Sequence, residues 1–284
     1  MARVLVVGTG DIGGHLAVQL AQDGHQVWGL RRSNKEIAPG VALIQGDVSE
    51  PETLLDLPSD IDIFVYSVAS PEFSKEGYHK YYYRGLRHVI QALKVSGSKP
   101  QHAFFVSSTS VYHQMDAEWV DEETATEPTS FAGKEMLAAE QALHKSYIPG
   151  TAVRFSGIYG PGRNRMIEQA RHGGHCDPEP EVWTNRIHRD DCVGVLKFLV
   201  DKALAGEELK ETYLATDCQP ATLFDVLEWM KDRIGDVESD HDLPEVTRRA
   251  NRRCSNKRLL EAGYKFKFEH YQEGYDFVLK EMGI

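Results

Sequence analysis

The chain has no long hydrophobic run. No window of about 18 consecutive apolar residues occurs in its 284 residues, which excludes a helical membrane span. Cysteine is scarce as well. Cys176, Cys192, Cys218 and Cys254 are scattered without close pairing, which argues against a disulfide scaffold and against a zinc ribbon. Positive charge is in deficit, with 32 Lys and Arg against 43 Asp and Glu and a net charge of −11. Such a balance disfavours non-specific nucleic-acid binding, while a local basic patch can still hold a phosphate. There is no internal repeat and no low-complexity linker. The N-terminus enters a strand almost at once and leaves no room for a signal peptide, so cytoplasm is the expected compartment, with no membrane or nucleic-acid partner. The apolar fraction of 41% predicts a substantial core, either one large α/β unit or a domain carrying a smaller lobe.

What is present begins with Arg3-Val4-Leu5-Val6-Val7-Gly8-Thr9-Gly10-Asp11-Ile12-Gly13. The aliphatic run predicts a strand buried on both faces, and apolar periodicity through Leu16, Val18, Leu20 and Ala21 predicts the helix that follows. Between them, Gly8 permits a tight turn, Gly10 lets the backbone approach a pyrophosphate, and Gly13 lets helix and strand pack closely. The N–H groups of Asp11, Ile12 and Gly13 open the helix toward an anion. The stretch therefore predicts a dinucleotide site. A second strand, Val27 to Leu30, ends at Arg31-Arg32-Ser33, beside the expected adenosine ribose. Two arginines and no carboxylate there suit a 2′-phosphate, so NADP is expected over NAD.

Further strands are expected at 41–44, 61–68, 103–106 and 152–155, with helices at 76–96 and 130–143 between them. This alternation predicts a doubly wound parallel α/β sheet of the Rossmann kind. From about Gly160 the rhythm loosens into a smaller C-terminal α/β substrate lobe. The expected boundaries are 1–160, with a contribution from about 182–216, and 161–284. Core elements of the later region are expected at 191–204, 212–215 and 223–234. Asp190-Asp191 is expected to cap the helix it precedes.

The glycine turn, Gly46-Asp47, Phe105 to Tyr112, Val153 to Gly162, Arg186 to Asp191 and Ser255 to Leu259 together resemble the extended short-chain dehydrogenase/reductase superfamily, in its NAD-dependent epimerase/dehydratase group. The resemblance implies that Asp47 contacts the adenine and that Ser67 and Val68 line the cofactor. It places Ser107 beside them and Arg154-Phe155-Ser156 near the nicotinamide. The C-terminal lobe would receive a small-molecule substrate, often a nucleotide-sugar.

The chain departs from that pattern at its chemistry. Counting back from Glu140 puts Ala132 and Met136 where the family carries Tyr-x-x-x-Lys, and no tyrosine lies between Tyr112 and Tyr147. Tyrosine exchanges a proton with the substrate oxygen and lysine lowers the phenol pKa, so neither replacement can act. Three residues remain as candidates. Ser108 occupies the family's substrate-binding serine position, or is an ordinary strand-end serine. Tyr82 stands where the family has a structural asparagine and offers a phenol, or packs at a helix–sheet interface. Lys134 lies two residues from Met136, about 200° around a helix. Two readings follow: an NADP-dependent (or NAD-dependent) epimerase/dehydratase-like oxidoreductase with a non-standard proton donor, or an NAD(P)-binding sensor or partner-binding protein without turnover.

His172-Gly173-Gly174-His175-Cys176-Asp177 has metal-ligand residue types but no second ligand cluster, so no metal is expected. Arg248, Arg249, Arg252 and Arg253, with Arg163 and Arg165, are read either as a clasp for a substrate diphosphate or as solvated charge.

Overall fold

The computed structural model describes residues 1–235 and 250–284. In chain order its elements are β1 Arg3–Val7, α1 Asp11–Gln22, β2 Gln26–Arg31, β3 Val41–Gln45, β4 Ile63–Tyr66, α2 Lys75–Tyr78, α3 Gly85–Val95, β5 His102–Ser108, β6 Glu118–Val120, α4 Phe131–His144, β7 Gly150–Phe155 and β8 Gly157–Tyr159. There follow α5 Arg165–Arg171, β9 Trp183–Thr184, β10 Arg186–His188, α6 Arg189–Leu204, β11 Thr212–Ala215, β12 Ala221–Thr222, α7 Leu223–Ile234, β13 Arg252–Cys254, α8 Lys257–Glu261 and α9 Tyr271–Glu281. A π-helical stretch, His79–Arg84, joins α2 to α3.

Seven strands form one parallel sheet in the order β11-β7-β5-β4-β1-β2-β3. The chain runs outward from β1 through β2 to β3, then returns to β4 on the other side of β1. That reversal places a topological switch point at the carboxyl ends of β1 and β4, where ligands of doubly wound sheets bind. Val4 to Val7 are fully buried because the strand is covered on both faces, which explains its unbroken aliphatic run.

The chain packs into two compact units. The first comprises 1–112, 125–154 and 193–213; the second comprises 113–124, 155–192 and 214–284. In the second, α5, α7 and α9 enclose Ile167, Leu223, Val226, Leu227, Met230, Val278 and Leu279 around Tyr159 and Tyr275. Residues 113–124 join this unit through β6, which pairs in parallel with β13. No helix among the described residues is long and apolar enough to cross a membrane.

The helix expected over 76–96 runs without interruption over 75–95 and carries the π-helical stretch inside it. There the Gly85 N–H reaches the Lys80 carbonyl, and the Tyr66 phenol donates to the bypassed Tyr81 carbonyl. Asp191 does not cap its own helix. It lies inside the first turn of α6, where its carboxylate accepts from the Lys267 N–H at 2.7 Å, the Phe268 N–H at 3.0 Å and the Tyr264 hydroxyl at 2.9 Å. Burial, the largest influence, raises its pKa even so.

Candidate functional site

At the switch point the glycines divide their work as their surroundings require. Gly8 has φ +89°, and a Cβ on it would lie 2.6 Å from the Ser67 carbonyl oxygen. A Cβ on Gly13 would collide with the Gly8 carbonyl oxygen. Gly10 is different: it is exposed, and no protein atom lies within 4 Å of the place its Cβ would take. The start of α1 carries no side-chain cap, with Asp11 in its first turn and Ile12 buried behind it. Ser67, whose N–H bonds the Val7 carbonyl at 2.8 Å, and Val68 flank the turn half-buried. An open approach over Gly10, an uncapped 12-residue helix and a buried Thr9 hydroxyl without a partner form a cradle that fits a dinucleotide pyrophosphate.

Beyond this cradle, Arg31 is half-buried and Arg32 exposed at the end of β2. The Arg31 carbonyl accepts from the Gly46 N–H at 3.0 Å, and the Arg32 carbonyl from the Gln45 side chain at 3.2 Å. The Asp47 carboxylate holds a turn, accepting from the Ser49 N–H at 2.9 Å and its hydroxyl at 2.7 Å.

The end of β5 is built on a buried network. The Ser107 hydroxyl donates to Glu140 at 2.5 Å, and Arg154 grips the same carboxylate through Nε at 3.0 Å and Nη2 at 2.7 Å. Arg154 Nη1 also donates to the Tyr112 hydroxyl at 2.9 Å. Burial alone would lower the Arg154 pKa, but the hydrogen bonds and charge of Glu140 hold it above its ordinary value. The Ser107 side chain therefore faces inward, and any contact it makes with a cofactor falls to its backbone. Ser108 is half-buried, and its oxygen accepts from the Ser110 N–H at 3.1 Å. That bond leaves the Ser108 proton available to a ligand.

Ala132 and Met136 are both buried on α4, and Lys134 is exposed. At the start of α4 an aromatic group gathers. Phe131, the first residue of α4, meets the Tyr78 ring edge-on at 5.5 Å, and Tyr78 packs on Tyr82 at 4.8 Å. Phe73 closes the group at 5.0 Å from Phe131. The Tyr82 hydroxyl accepts from the Ser70 N–H at 3.3 Å, and burial raises its pKa, so the phenol keeps its proton at neutral pH. Sequence reasoning found Tyr82 by position. It missed Tyr66, and it named Ser107 and Arg154 without their shared bond to Glu140, because a buried hydrogen bond leaves no periodic signal.

The second unit holds a separate buried polar group. Phe155 and Ser156 are buried, and the Ser156 hydroxyl donates to the Thr216 hydroxyl at 3.0 Å. Arg186 is buried with its guanidinium 5.0 Å over the Tyr271 ring, and its Nη1 has no partner; neither have Asp217 Oδ2, Tyr159 Oη or His188 Nε2. Burial drives the Asp217 pKa up to about 7 and the His188 pKa down to about 4. An acid whose folded pKa exceeds its unfolded value contributes stability that is lost as pH rises between the two, here from about 4 to about 7. His188 and His102, both lowered to about 4 by burial, act in the opposite sense up to their unfolded value near 6.5. The Asp217 contribution is therefore read as a difference. Asp217→Asn is expected to gain stability relative to wild type between pH 5 and pH 8, measured by urea unfolding at each. A pH-independent difference counts against this assignment.

Arg252 is buried in β13, and Arg253 lies between the Trp119 and Trp183 rings, 5.2 and 5.1 Å from their centroids, with Nε donating to the Ala117 carbonyl at 2.9 Å. Neither is a solvated surface charge. Arg248 and Arg249 lie outside the described residues, and Arg163 and Arg165 are exposed around the start of α5. No group of three metal-ligating side chains occurs among the described residues.

A family model, the NAD dependent epimerase/dehydratase family, matches residues 4–209. A protein of Methylobacillus flagellatus, provisionally named as an NAD-dependent epimerase/dehydratase, is 39% identical, with 100% of this chain and 99% of that chain covered and a TM-score of 0.83. UDP-glucose 4-epimerase of Thermotoga maritima, solved with UDP-glucose, is 15% identical at a TM-score of 0.82, covering 99% and 98%. MoeE5, solved with UDP-glucose and NAD, is 20% identical at a TM-score of 0.79, covering 99% and 98%. These last two share the fold. Comparison with curated proteins found no match.

Proposed function

This chain belongs to the NAD-dependent epimerase/dehydratase family, and from that premise we propose that it is an NADP-dependent (or NAD-dependent) oxidoreductase acting on a nucleotide-sugar or similarly polar substrate, with Tyr82 as its proton donor. The observation that carries this reading is the aromatic group at the head of α4, which packs a protonated phenol, Tyr82, close to the helix start where family members carry the tyrosine. UDP-glucose in two structural neighbours supports the substrate class.

In this reading Gly8, Gly10 and Gly13 bring the backbone to the pyrophosphate, and the N–H groups of Asp11 and Ile12 meet its charge. Arg31, Arg32 and Asp47 hold the adenosine end, while Ser67, Val68 and Ser107 line the remainder. When bound, the nicotinamide supplies or accepts the hydride. Ser108 donates a hydrogen bond to the substrate oxygen and orients it. Tyr82 gives that oxygen its proton, which burial keeps on the phenol at neutral pH. Lys134, exposed on α4, is given no part in the transfer.

Turnover of UDP-sugars and related polar carbonyls with NADPH or NADH tests the proposal. Tyr82→Phe is expected to lower kcat about 10²- to 10⁴-fold with cofactor affinity unchanged, the range for loss of a general acid. Lys134→Ala is expected to stay within about twofold of wild type, since it removes no acid from the site. A Tyr82→Phe enzyme with full kcat removes Tyr82 from the chemistry. The buried, apolar Ala132 and Met136 favour a second reading, in which the protein binds dinucleotide as a sensor. Tight NADP binding by wild type with no turnover across the panel selects that reading.

A further inference from the structure

The π-helical stretch has a second consequence, on the side facing β2. The bond from Tyr66 to the Tyr81 carbonyl fixes the backbone there, and Gly85 is required because a Cβ would collide with the Tyr66 hydroxyl. The Tyr81 ring so placed meets two cations. Arg32 stands over it with the guanidinium carbon 5.7 Å from the centroid and donates to the Tyr81 hydroxyl at 3.5 Å. Lys80 Nζ lies 5.6 Å from the same centroid. Lys80 pairs with Glu50 at 3.5 Å in an exposed bridge, while Arg32, among the described residues, has no carboxylate partner. Two like charges drawn to one half-buried ring repel each other, and a bound anion relieves that repulsion.

We infer that Arg32 and Lys80, held on the Tyr81 ring, form a two-cation clamp for a phosphomonoester at the adenosine end of the dinucleotide, and that Tyr81 is the positioning residue that sets the preference for NADP over NAD. The inference rests on the dinucleotide reading of the glycine turn and deepens it. A free arginine side chain is mobile and loses that freedom when it binds phosphate. Arg32 is restrained before the ligand arrives, its backbone by Gln45 and its head by the Tyr81 ring and hydroxyl. Lys80 adds a point charge without fixed geometry, and its bridge to Glu50 is weak enough to exchange for a dianion.

The test is calorimetric titration of the full chain with NADP, NAD, adenosine 2′,5′-bisphosphate and 5′-AMP at two ionic strengths. Wild type is expected to prefer each 2′-phosphorylated ligand by about tenfold or more, with the preference shrinking at high salt. Arg32→Gln is expected to abolish the preference. Lys80→Gln and Tyr81→Ala should each reduce it about two- to fivefold, and Tyr81→Phe, which keeps the ring, should reduce it less. NAD and 5′-AMP affinities of Lys80→Gln and Tyr81→Phe should stay constant, and thermal melting shows that each variant, Arg32→Gln included, is folded. If Arg32→Gln removes the preference while Lys80→Gln and Tyr81→Ala leave it whole, the clamp is wrong and the NADP reading stands. Equal wild-type affinity for NADP and NAD overturns both the clamp and the NADP preference. Loss of 5′-AMP binding in Tyr81→Ala shows Tyr81 acting on the adenosine itself and also overturns the clamp.

Discussion

Gly10→Val is expected to lose dinucleotide affinity by about 100-fold or more, equivalent to about 3 kcal/mol, while the protein stays folded. The two halves of that expectation have separate causes. Gly10 has φ −82°, a value any residue adopts, and its missing Cβ would project into open space. Valine therefore meets no protein atom within 4 Å at its Cβ and strains no backbone. It does fill the approach to the uncapped N–H groups of α1, where a pyrophosphate must come within hydrogen-bond distance. Gly13→Val is the informative contrast. There the new Cβ collides with the Gly8 carbonyl oxygen, so the expected outcome is loss of the fold along with the binding. Calorimetric titration and thermal melting on both variants separate the two effects. A Gly10→Val protein that binds NADP within about threefold of wild type removes the pyrophosphate from this loop.

Glu140→Ala is expected to cost about 3–5 kcal/mol of stability, the range for removing one partner of a buried ion pair. Arg154 and Glu140 are each less than a tenth exposed, so the guanidinium left behind has no water to turn to. Ser107 loses its acceptor in the same change. For a chain of this size the melting temperature should fall on the order of 10 °C. Glu140→Leu combined with Arg154→Met should recover a large part of the loss, because a packed apolar pair need not be solvated as a lone charge must. The double-mutant cycle by urea unfolding gives the coupling directly. Additive single and double changes show that the pair contributes little. Ser107, which bonds Glu140, directly precedes Ser108 at the end of β5. A double variant that regains stability without regaining substrate affinity would show that the network serves the site as well as the fold.

The strand, glycine turn and helix of the candidate site were legible in advance because their logic is local. A buried strand, a glycine turn and an apolar-periodic helix must be contiguous, and each leaves a sequence signal: the unbroken run Val4 to Val7, the spacing of Gly8, Gly10 and Gly13, and the recurrence through Leu16 and Leu20. Ala132 and Met136, placed by counting back from Glu140 at the expected tyrosine and lysine positions, are both buried on α4. Asp191 shows where local logic ends. Its place ahead of a helical pattern reads as a cap, yet its partners come from residues 264–268, too far along the chain for any window to include.

The sequence by itself determined the alternating order of strands and helices, hence the doubly wound sheet, and the glycine turn that joins β1 to α1. Only the tertiary structure decided which side chains meet. It turned Ser107 inward to Glu140, set Arg253 between two indoles, and put inside a periodic helix a π-helical stretch whose Tyr81 carbonyl accepts from the Tyr66 phenol of a neighbouring strand. The physical reason is that periodicity reports which face of an element is buried, whereas a hydrogen bond or a ring contact depends on the distance between groups remote in sequence.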